Sequence, residues 1–232
     1  MDETKAAIRH AMRRRRRALA PTDVAAAGAA VADAVLALAA VRDASVLLAY
    51  VDSDNEIPTD ALIASALATG KRVFLPRFDG ERMVFAEHRL GDALRPGAFG
   101  IREPQGDPGE PGLPATAVAV LPLLAWDDAG GRIGRGGGHY DRAFAGPDRP
   151  RCLIGLAYAF QHLPRVPRDP WDLRLDCVVS ERGVAECWTG DLRSPNSKEV
   201  ESDHGIPGDD RRHPGAGRRA GGPARRPAAA AG

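Results

Sequence analysis

The sequence predicts a three-layer α/β/α domain on a largely parallel sheet, followed by a disordered C-terminal tail. Three observations carry that expectation. Continuous apolar runs from Val46 to Val51, Ala117 to Leu123 and Cys152 to Ala157 have the length and composition of strands covered on both faces. Helical spacing before and between such runs gives an order of elements that requires crossover connections in a largely parallel sheet. Beyond Ser194, Val200 and Ile206 are the only large apolar residues among many Gly, Pro, Arg and Asp, too few to offset the entropy of ordering.

Taken in order, the segment from Glu3 to Leu19 is rich in Ala, Met, Leu and Arg without Gly or Pro, which suits a helix with a very basic face that Pro21 ends. Thr22 can cap a second helix to about Ala40, where Val24, Val31, Val35 and Leu38 recur at helical spacing. Two helices thus precede the first strand, from Val46 to Val51. Pro58-Thr59 opens a helix closed by Thr69-Gly70, and Arg72 to Leu75 reads as the next strand. Met83 to Ala86 is a weaker strand, and the segment from Pro104 to Pro114 is a Pro/Gly loop. Ala117 to Leu123, Cys152 to Ala157 and Cys177 to Ser180 complete five or six strands, with a short helix near Tyr140 to Ala145.

A chain of 232 residues with 44% apolar content can bury one core, so a single catalytic domain is expected over residues 1–192 and a tail over 193–232. The 32 basic and 31 acidic side chains leave a formal charge of +1, which gives no global field to draw in nucleic acid or a membrane. Any preference for anions must be local. Cys152, Cys177 and Cys187 are too few and too far apart for a disulfide framework or a thiolate zinc site, and read as reduced core thiols. No signal peptide or spanning run is visible, so a cytoplasmic location is expected, and the lack of a heptad seam favours a monomer.

The most informative stretch is Asp127-Asp128-Ala129-Gly130-Gly131-Arg132-Ile133-Gly134-Arg135-Gly136-Gly137-Gly138-His139-Tyr140-Asp141-Arg142. Six glycines in nine positions permit left-handed backbone and close approach of main-chain N–H groups to an anion. Between a strand and a helix this is the layout of a nucleotide-phosphate cradle, most simply for ATP. Arg132 and Arg135 supply charge beside those amides, and Asp141 could hold the Mg2+ that accompanies a triphosphate. The stretch is neither a Walker A loop, which ends Gly-Lys-Ser/Thr, nor a dinucleotide fingerprint, which needs a third Gly where His139 stands. A flexible glycine linker is the alternative on glycine content alone.

Leu121-Pro122-Leu123-Leu124-Ala125-Trp126-Asp127, then Arg132 to Arg142, then Ile154-Gly155-Leu156-Ala157-Tyr158 resemble the 5-formyltetrahydrofolate cyclo-ligase family, also called methenyltetrahydrofolate synthetase. Supporting blocks are Lys5 to Arg9, Asn55-Glu56-Ile57-Pro58-Thr59, Gly70-Lys71-Arg72-Val73, Phe99-Gly100-Ile101-Arg102-Glu103-Pro104 and Leu175-Asp176-Cys177-Val178-Val179-Ser180-Glu181. They span Lys5 to Glu186 in family order and leave the tail out. The resemblance implies ATP- and Mg2+-dependent closure of 5-formyltetrahydrofolate, in polyglutamylated form, to 5,10-methenyltetrahydrofolate. It implies nucleotide contacts from Lys5, Arg9, Arg132, Ile133, Gly134, Arg135, Gly136, Gly137, Gly138, His139 and Tyr140. Folate contacts would come from Val51, Glu56, Arg135, Gly136, Gly137, Gly138 and His139, catalytic roles would fall to Arg135 and Tyr140, and Asp141 and Asp176 would ligate the metal. Residue by residue, Lys5 and Arg9 otherwise read as a solvated basic face, Asp176 as a strand-start turn residue and Glu56 as a solvated loop carboxylate.

The chain departs from the family pattern at His139, usually Tyr, at Trp126, usually Phe, and at Trp171, where His is common. Most of Arg13 to Arg17 should be solvated, with one or two available to a polyglutamate tail. Two other readings stand beside the enzyme. One is a nucleotide- or folate-binding homologue without turnover. The other is a nucleic-acid-binding module built on Arg13 to Arg17 and the tail arginines, which Asp203, Asp209 and Asp210 dilute and which lacks an RNP strand or helix-turn-helix.

Overall fold

The computed structural model describes residues 4–106, 116–146 and 149–187. The tail expected beyond Leu192, and most of the expected Pro/Gly loop, lie outside the described residues. In chain order the elements are α1 (Lys5–Arg17), α2 (Pro21–Ala37), α3 (Ala39–Asp43), β1 (Val46–Leu48), α4 (Asp60–Ala68), β2 (Arg72–Asp79) and β3 (Arg82–His88). Then come β4 (Leu94–Pro96), β5 (Arg102–Pro104), β6 (Val118–Pro122), β7 (Ala125–Trp126), β8 (Arg132–Ile133), α5 (His139–Ala143), β9 (Cys152–Leu156), β10 (Cys177–Ser180) and β11 (Gly183–Glu186).

Seven strands form one sheet in the order β11-β10-β9-β6-β1-β2-β3. The inner strands from β10 to β2 are parallel, and β3 and β11 close the two edges antiparallel. The expected α/β class on a largely parallel sheet is what the chain adopts. β6 shows why its residues form an inner strand. Val118 and Val120 face a core shared with Val31 and Val35 of α2, whereas Ala119 and Leu121 face a second core with Phe144 and Leu173. Both faces are covered, so the run is apolar without alternation.

The two covering layers are unlike. α2 and α4 cover one face in the ordinary way of crossover helices. The other face is covered by the five-residue α5, by Phe144 and by the segment holding Leu173 and Leu175. α1 lies off the sheet: Ile8 and Met12 pack with Leu124, Ala125 and Ile133 on the β7–β8 hairpin. The adjoining flank of the same side of α1, carrying Lys5 and Arg9, lines the crevice at the C-terminal ends of β1 and β6.

Several local expectations change. Pro21 does not merely end the first helix; it is the first residue of α2, with Ala20 at the cap and Thr22 inside. Proline suits that position because its missing N–H would be unpaired there anyway. A third helix, α3, follows a break at Leu38 that no Gly or Pro announces. The strand at Val46 ends at Leu48, with one last ladder bond from the Ala49 N–H to Phe74 O at 2.9 Å; Tyr50 and Val51 run on buried beyond it. β11 was not anticipated; it returns from β10 through Gly183 at φ 115°. Among the described residues no single helix is long and apolar enough to cross a bilayer.

Candidate functional site

β1 sits where the sheet's connectivity reverses, with β2 on one side and β6 on the other. In open α/β sheets the crevice beyond the carboxyl ends of the strands at such a point receives the ligand. A cavity of about 570 Å3 opens there, lined by Tyr50 and Val51 after β1 and by Pro122 and Leu123 at the end of β6. The remaining wall comes from α1, the glycine loop, the β2–β3 edge and the segment around Asp169 to Asp172.

Every residue assigned to the site from sequence lines this cavity except Asp176: Lys5, Arg9, Val51, Glu56, Arg132, Ile133, Gly134, Arg135, Gly136, Gly137, Gly138, His139, Tyr140 and Asp141. Asp176 lies elsewhere. Its Oδ2 accepts the Leu153 N–H at 2.7 Å, its own N–H bonds Leu153 O at 2.9 Å, and its carbonyl accepts the Cys187 N–H at 3.1 Å. It ties the starts of β9 and β10 to the end of β11, the bland role for a strand-start aspartate. Burial raises its carboxyl, with the Leu153 bond acting against the shift. The structure does not bring it together with Asp141.

The glycine stretch divides in two. Gly130 and Gly131 belong to the turn between β7 and β8, and neither lines the cavity. There the buried Asp127 accepts the N–H groups of Ala129 and Gly131 on Oδ1, at 3.1 and 2.8 Å, and of Val166 on Oδ2 at 2.8 Å. Only Gly134 to Gly138 face the cavity, with Gly136 at φ 108° and Gly138 at φ 64°. The expected strand-loop-helix layout is therefore modified: a two-residue hairpin strand leads into the loop, and α5 is too short to bring a sizeable dipole. Main-chain N–H groups and side-chain charge carry the anion chemistry instead.

Four cationic side chains converge on the loop, each held differently. Arg9 donates from Nε to Gly134 O at 3.0 Å. Lys5 bridges Asp169 and Asp172 at 2.7 and 2.6 Å. Burial works against its charge, but the two carboxylates outweigh that and hold the ammonium above its ordinary range. Arg132, 6% exposed at its side chain, binds Asp141 Oδ1 at 3.0 Å and lies over the Tyr140 ring. Arg135 is the most exposed of the arginines here, 34% at its side chain between two glycines, and grips Glu56 through Nε and Nη2 at 3.0 Å each.

Glu56 is not the solvated loop carboxylate that its sequence context suggests. It is 4% exposed, and burial raises its carboxyl while Arg135 and Arg16 oppose the shift. The turn that delivers it uses left-handed backbone at Asp54 and Asn55, φ 56° and 54°, which Asp and Asn tolerate better than most residues. Thr59 donates its hydroxyl to Tyr50 O at 2.6 Å and closes the turn from below. Tyr140 keeps its proton: burial first, then Glu56, hold its hydroxyl well above the ordinary tyrosine range. It can donate a hydrogen bond but is no base. His139 is held below its ordinary range by burial and then by Arg142, so it is neutral at physiological pH.

Asp141 Oδ1 accepts both Arg132 and the Leu173 N–H at 3.0 Å, and Oδ2 takes no hydrogen bond among the described residues. A hard cation could use that free oxygen together with a ligand's phosphates. No group of three His, Cys, Asp or Glu side chains able to hold a metal by itself occurs among the described residues.

Sequence reasoning missed the cavity's apolar wall. Phe78 of β2 meets His139 edge-on at 4.8 Å and Phe99 at 5.0 Å. Phe99 sits at φ 57° and 72% exposed at the β4–β5 tip, which Glu103 secures through the Ala98 N–H at 2.8 Å. Its signal was the Phe99-to-Pro104 block, which carried no assigned role. Trp171, Asp169 and Asp172 were missed too, because a Pro/Asp loop has no periodicity to place it. Trp126, by contrast, is 6% exposed on β7, meets the His162 ring at a tilt with centroids 4.5 Å apart and does not line the cavity.

The model of the 5-formyltetrahydrofolate cyclo-ligase family matches residues 1–181. The 5-formyltetrahydrofolate cyclo-ligase of Escherichia coli (strain K12) is 32% identical over 181 residues, covering 75% of this chain and 99% of that protein. The same-named protein of Haemophilus influenzae is 34% identical over 140 residues, 58% of this chain and 74% of that protein. The solved structure of Aquifex aeolicus 5,10-methenyltetrahydrofolate synthetase superposes with a TM-score of 0.70 at 26% identity, over 87% of this chain and 99% of that one. With the match running through α1, the glycine loop and β10, the chain belongs to the 5-formyltetrahydrofolate cyclo-ligase family.

Proposed function

We propose that this chain is a 5-formyltetrahydrofolate cyclo-ligase that uses Mg2+ and ATP to make 5,10-methenyltetrahydrofolate, ADP and phosphate. The observation that carries the reading is the convergence of Lys5, Arg9, Arg132 and Arg135 on one glycine loop beside an apolar wall of Phe78, Phe99 and Met83. Anionic phosphates suit the first surface and the flat rings of a folate suit the second. The expected catalytic pair, Arg135 and Tyr140, lines the same cavity.

The chemistry needs positioning and charge neutralisation more than a protein nucleophile. The formyl oxygen attacks the terminal phosphorus and ADP leaves. N10 then attacks the formyl carbon, losing its proton, and the carbon–oxygen bond breaks with phosphate as the leaving group. Arg135, freed from Glu56, and the N–H groups of Gly136 to Gly138 would hold the transferred group. Tyr140 would donate a hydrogen bond to an oxygen that gains charge. Lys5 would exchange Asp169 and Asp172 for phosphate oxygens. Asp141 through Oδ2 would hold Mg2+, which neutralises charge spreading over the phosphates; Asp176 does not line the cavity and has no part in it. Polyglutamylated folate as substrate, a monomeric state and a cytoplasmic location belong to the same reading.

The test is incubation of the purified chain with 5-formyltetrahydrofolate and Mg-ATP, following the near-ultraviolet band of the methenyl product. Nucleotide binding without product would favour the homologue without turnover. The nucleic-acid reading loses ground in α1, where Arg16 is buried and Arg13 and Arg17 pair with Asp54.

A further inference from the structure

Arg16 is the most deeply buried charge among the described residues, at 0% exposure, and the chemistry above does not use it. It projects from the last turn of α1 into the turn that carries Glu56. Its Nε donates to Asp54 O at 2.8 Å and its Nη2 binds Asp54 Oδ2 at 3.0 Å. Its Nη1 is buried, forms no hydrogen bond, and lies 3.5 Å from Glu56 Oε1. That oxygen already accepts Arg135 Nε at 3.0 Å. Two guanidiniums therefore face one buried carboxylate, and the inner one holds a donor in reserve.

The difference between the two matters. Arg135 stands on a loop between Gly134 and Gly136, is a third exposed, and besides Glu56 is held only by the carbonyl and hydroxyl of Ser53 among the described residues, so it can leave. Arg16 is pinned at two points by Asp54, whose carboxyl it and Arg17 hold below the ordinary range against the effect of burial. If Arg135 turns toward phosphate in a chain lacking Arg16, Glu56 stays behind as a buried carboxylate without a cation, which opposes the move. With Arg16 present, Nη1 closes the remaining distance and Glu56 keeps a cation.

We propose that Arg16 is a positioning residue that receives Glu56 when Arg135 passes to the phosphates of the nucleotide, so that the glycine loop is released without stranding a buried charge. The inference rests on the reading of the loop as a phosphate site. Arg16 touches neither substrate; it acts through Glu56. Removing it leaves Arg135 as the only guanidinium on Glu56, and the loop then resists nucleotide.

Equilibrium binding of Mg-ATP in the absence of folate tests this by calorimetry on the full chain, with Arg16→Met, Glu56→Gln and the double variant, each checked by thermal melting. Arg16→Met is expected to raise the Kd for Mg-ATP about tenfold, the scale of one charge-assisted hydrogen bond. The neutral amide of Glu56→Gln needs no cation, so the double variant should bind as Glu56→Gln does. Wild-type affinity in Arg16→Met would overturn the proposal, as would a loss that persists undiminished in the Glu56→Gln background. If Arg16→Met does not fold, Arg16→Lys, which keeps the charge but cannot span Asp54 and Glu56, is read against the same two criteria. Failure of the wild-type chain to bind Mg-ATP at all would instead bring down the phosphate site, and the handover with it.

Discussion

The two halves of the glycine stretch, Gly130-Gly131 and Gly134 to Gly138, share a composition and positive-φ glycines but differ in what surrounds them. The first half is buried under Asp127 and packed so closely that a Cβ on Gly131 would lie 2.6 Å from Val166 Cγ2 and 2.8 Å from Arg168 Cδ. The second half faces a cavity, and a Cβ on Gly134 would meet only the flexible end of Arg132 at 3.1 Å. In the first, glycine is required because other atoms of the protein stand close. In the second, it leaves backbone N–H groups and space for a ligand. Substitutions in the first half should therefore lower stability, and substitutions in the second should lower activity.

The largest effect expected is at Arg135. Arg135→Ala should lower kcat/KM by about 10²- to 10³-fold, roughly 3 to 4 kcal/mol if the contact strengthens in the transition state, with melting within about a degree of wild type. Wild-type turnover in that variant would erase the functional side of the contrast. On the structural side, Asp127→Ala strands the N–H groups of Ala129, Gly131 and Val166 and should cost about 3 kcal/mol of stability by urea unfolding. Turnover per folded molecule should be retained; an activity loss in fully folded protein would show that the hairpin turn takes part in binding.

Asp141→Asn sharpens the boundary between the halves, because Asp141 both caps contacts and faces the cavity. The Asn Oδ1 can still accept Leu173 N–H and Arg132, so folding should survive, while loss of charge at Oδ2 should cut turnover on the order of a hundredfold. A magnesium titration decides it: near-normal activity with an unchanged midpoint would falsify the metal role. Gly131→Ala should cost about 1 to 3 kcal/mol through overpacking, measured by thermal melting, whereas Gly134→Ala should cost under about 1 kcal/mol. Removal of residues 193–232 should change neither melting nor turnover measurably, since Val200 and Ile206 are the only large apolar side chains after Ser194. A drop in either would give the tail a role.

Much of this was legible in the sequence because it depends on local pattern. Val118 to Leu121 and Leu153 to Leu156 are apolar on both faces, and only an inner parallel strand asks for that. The loop from Arg132 to Asp141 was identifiable from residue type and spacing, whereas Lys5 and Arg9, one turn apart on α1, were reached only through the family resemblance and by themselves read as a solvated basic face. What tertiary structure alone decided are matters of partnership between distant segments. Asp176 and Asp141 are equivalent as isolated carboxylates, but one ties the starts of β9 and β10 together away from the cavity and the other lines it. Among five consecutive arginines nothing local marks Arg16. It is the one whose direction on α1, set by the packing of Ile8 and Met12 on the β7–β8 hairpin, points at Asp54 and Glu56 some forty residues away. A periodic pattern reports which face of an element is buried; it carries no information about which charge waits on the other side.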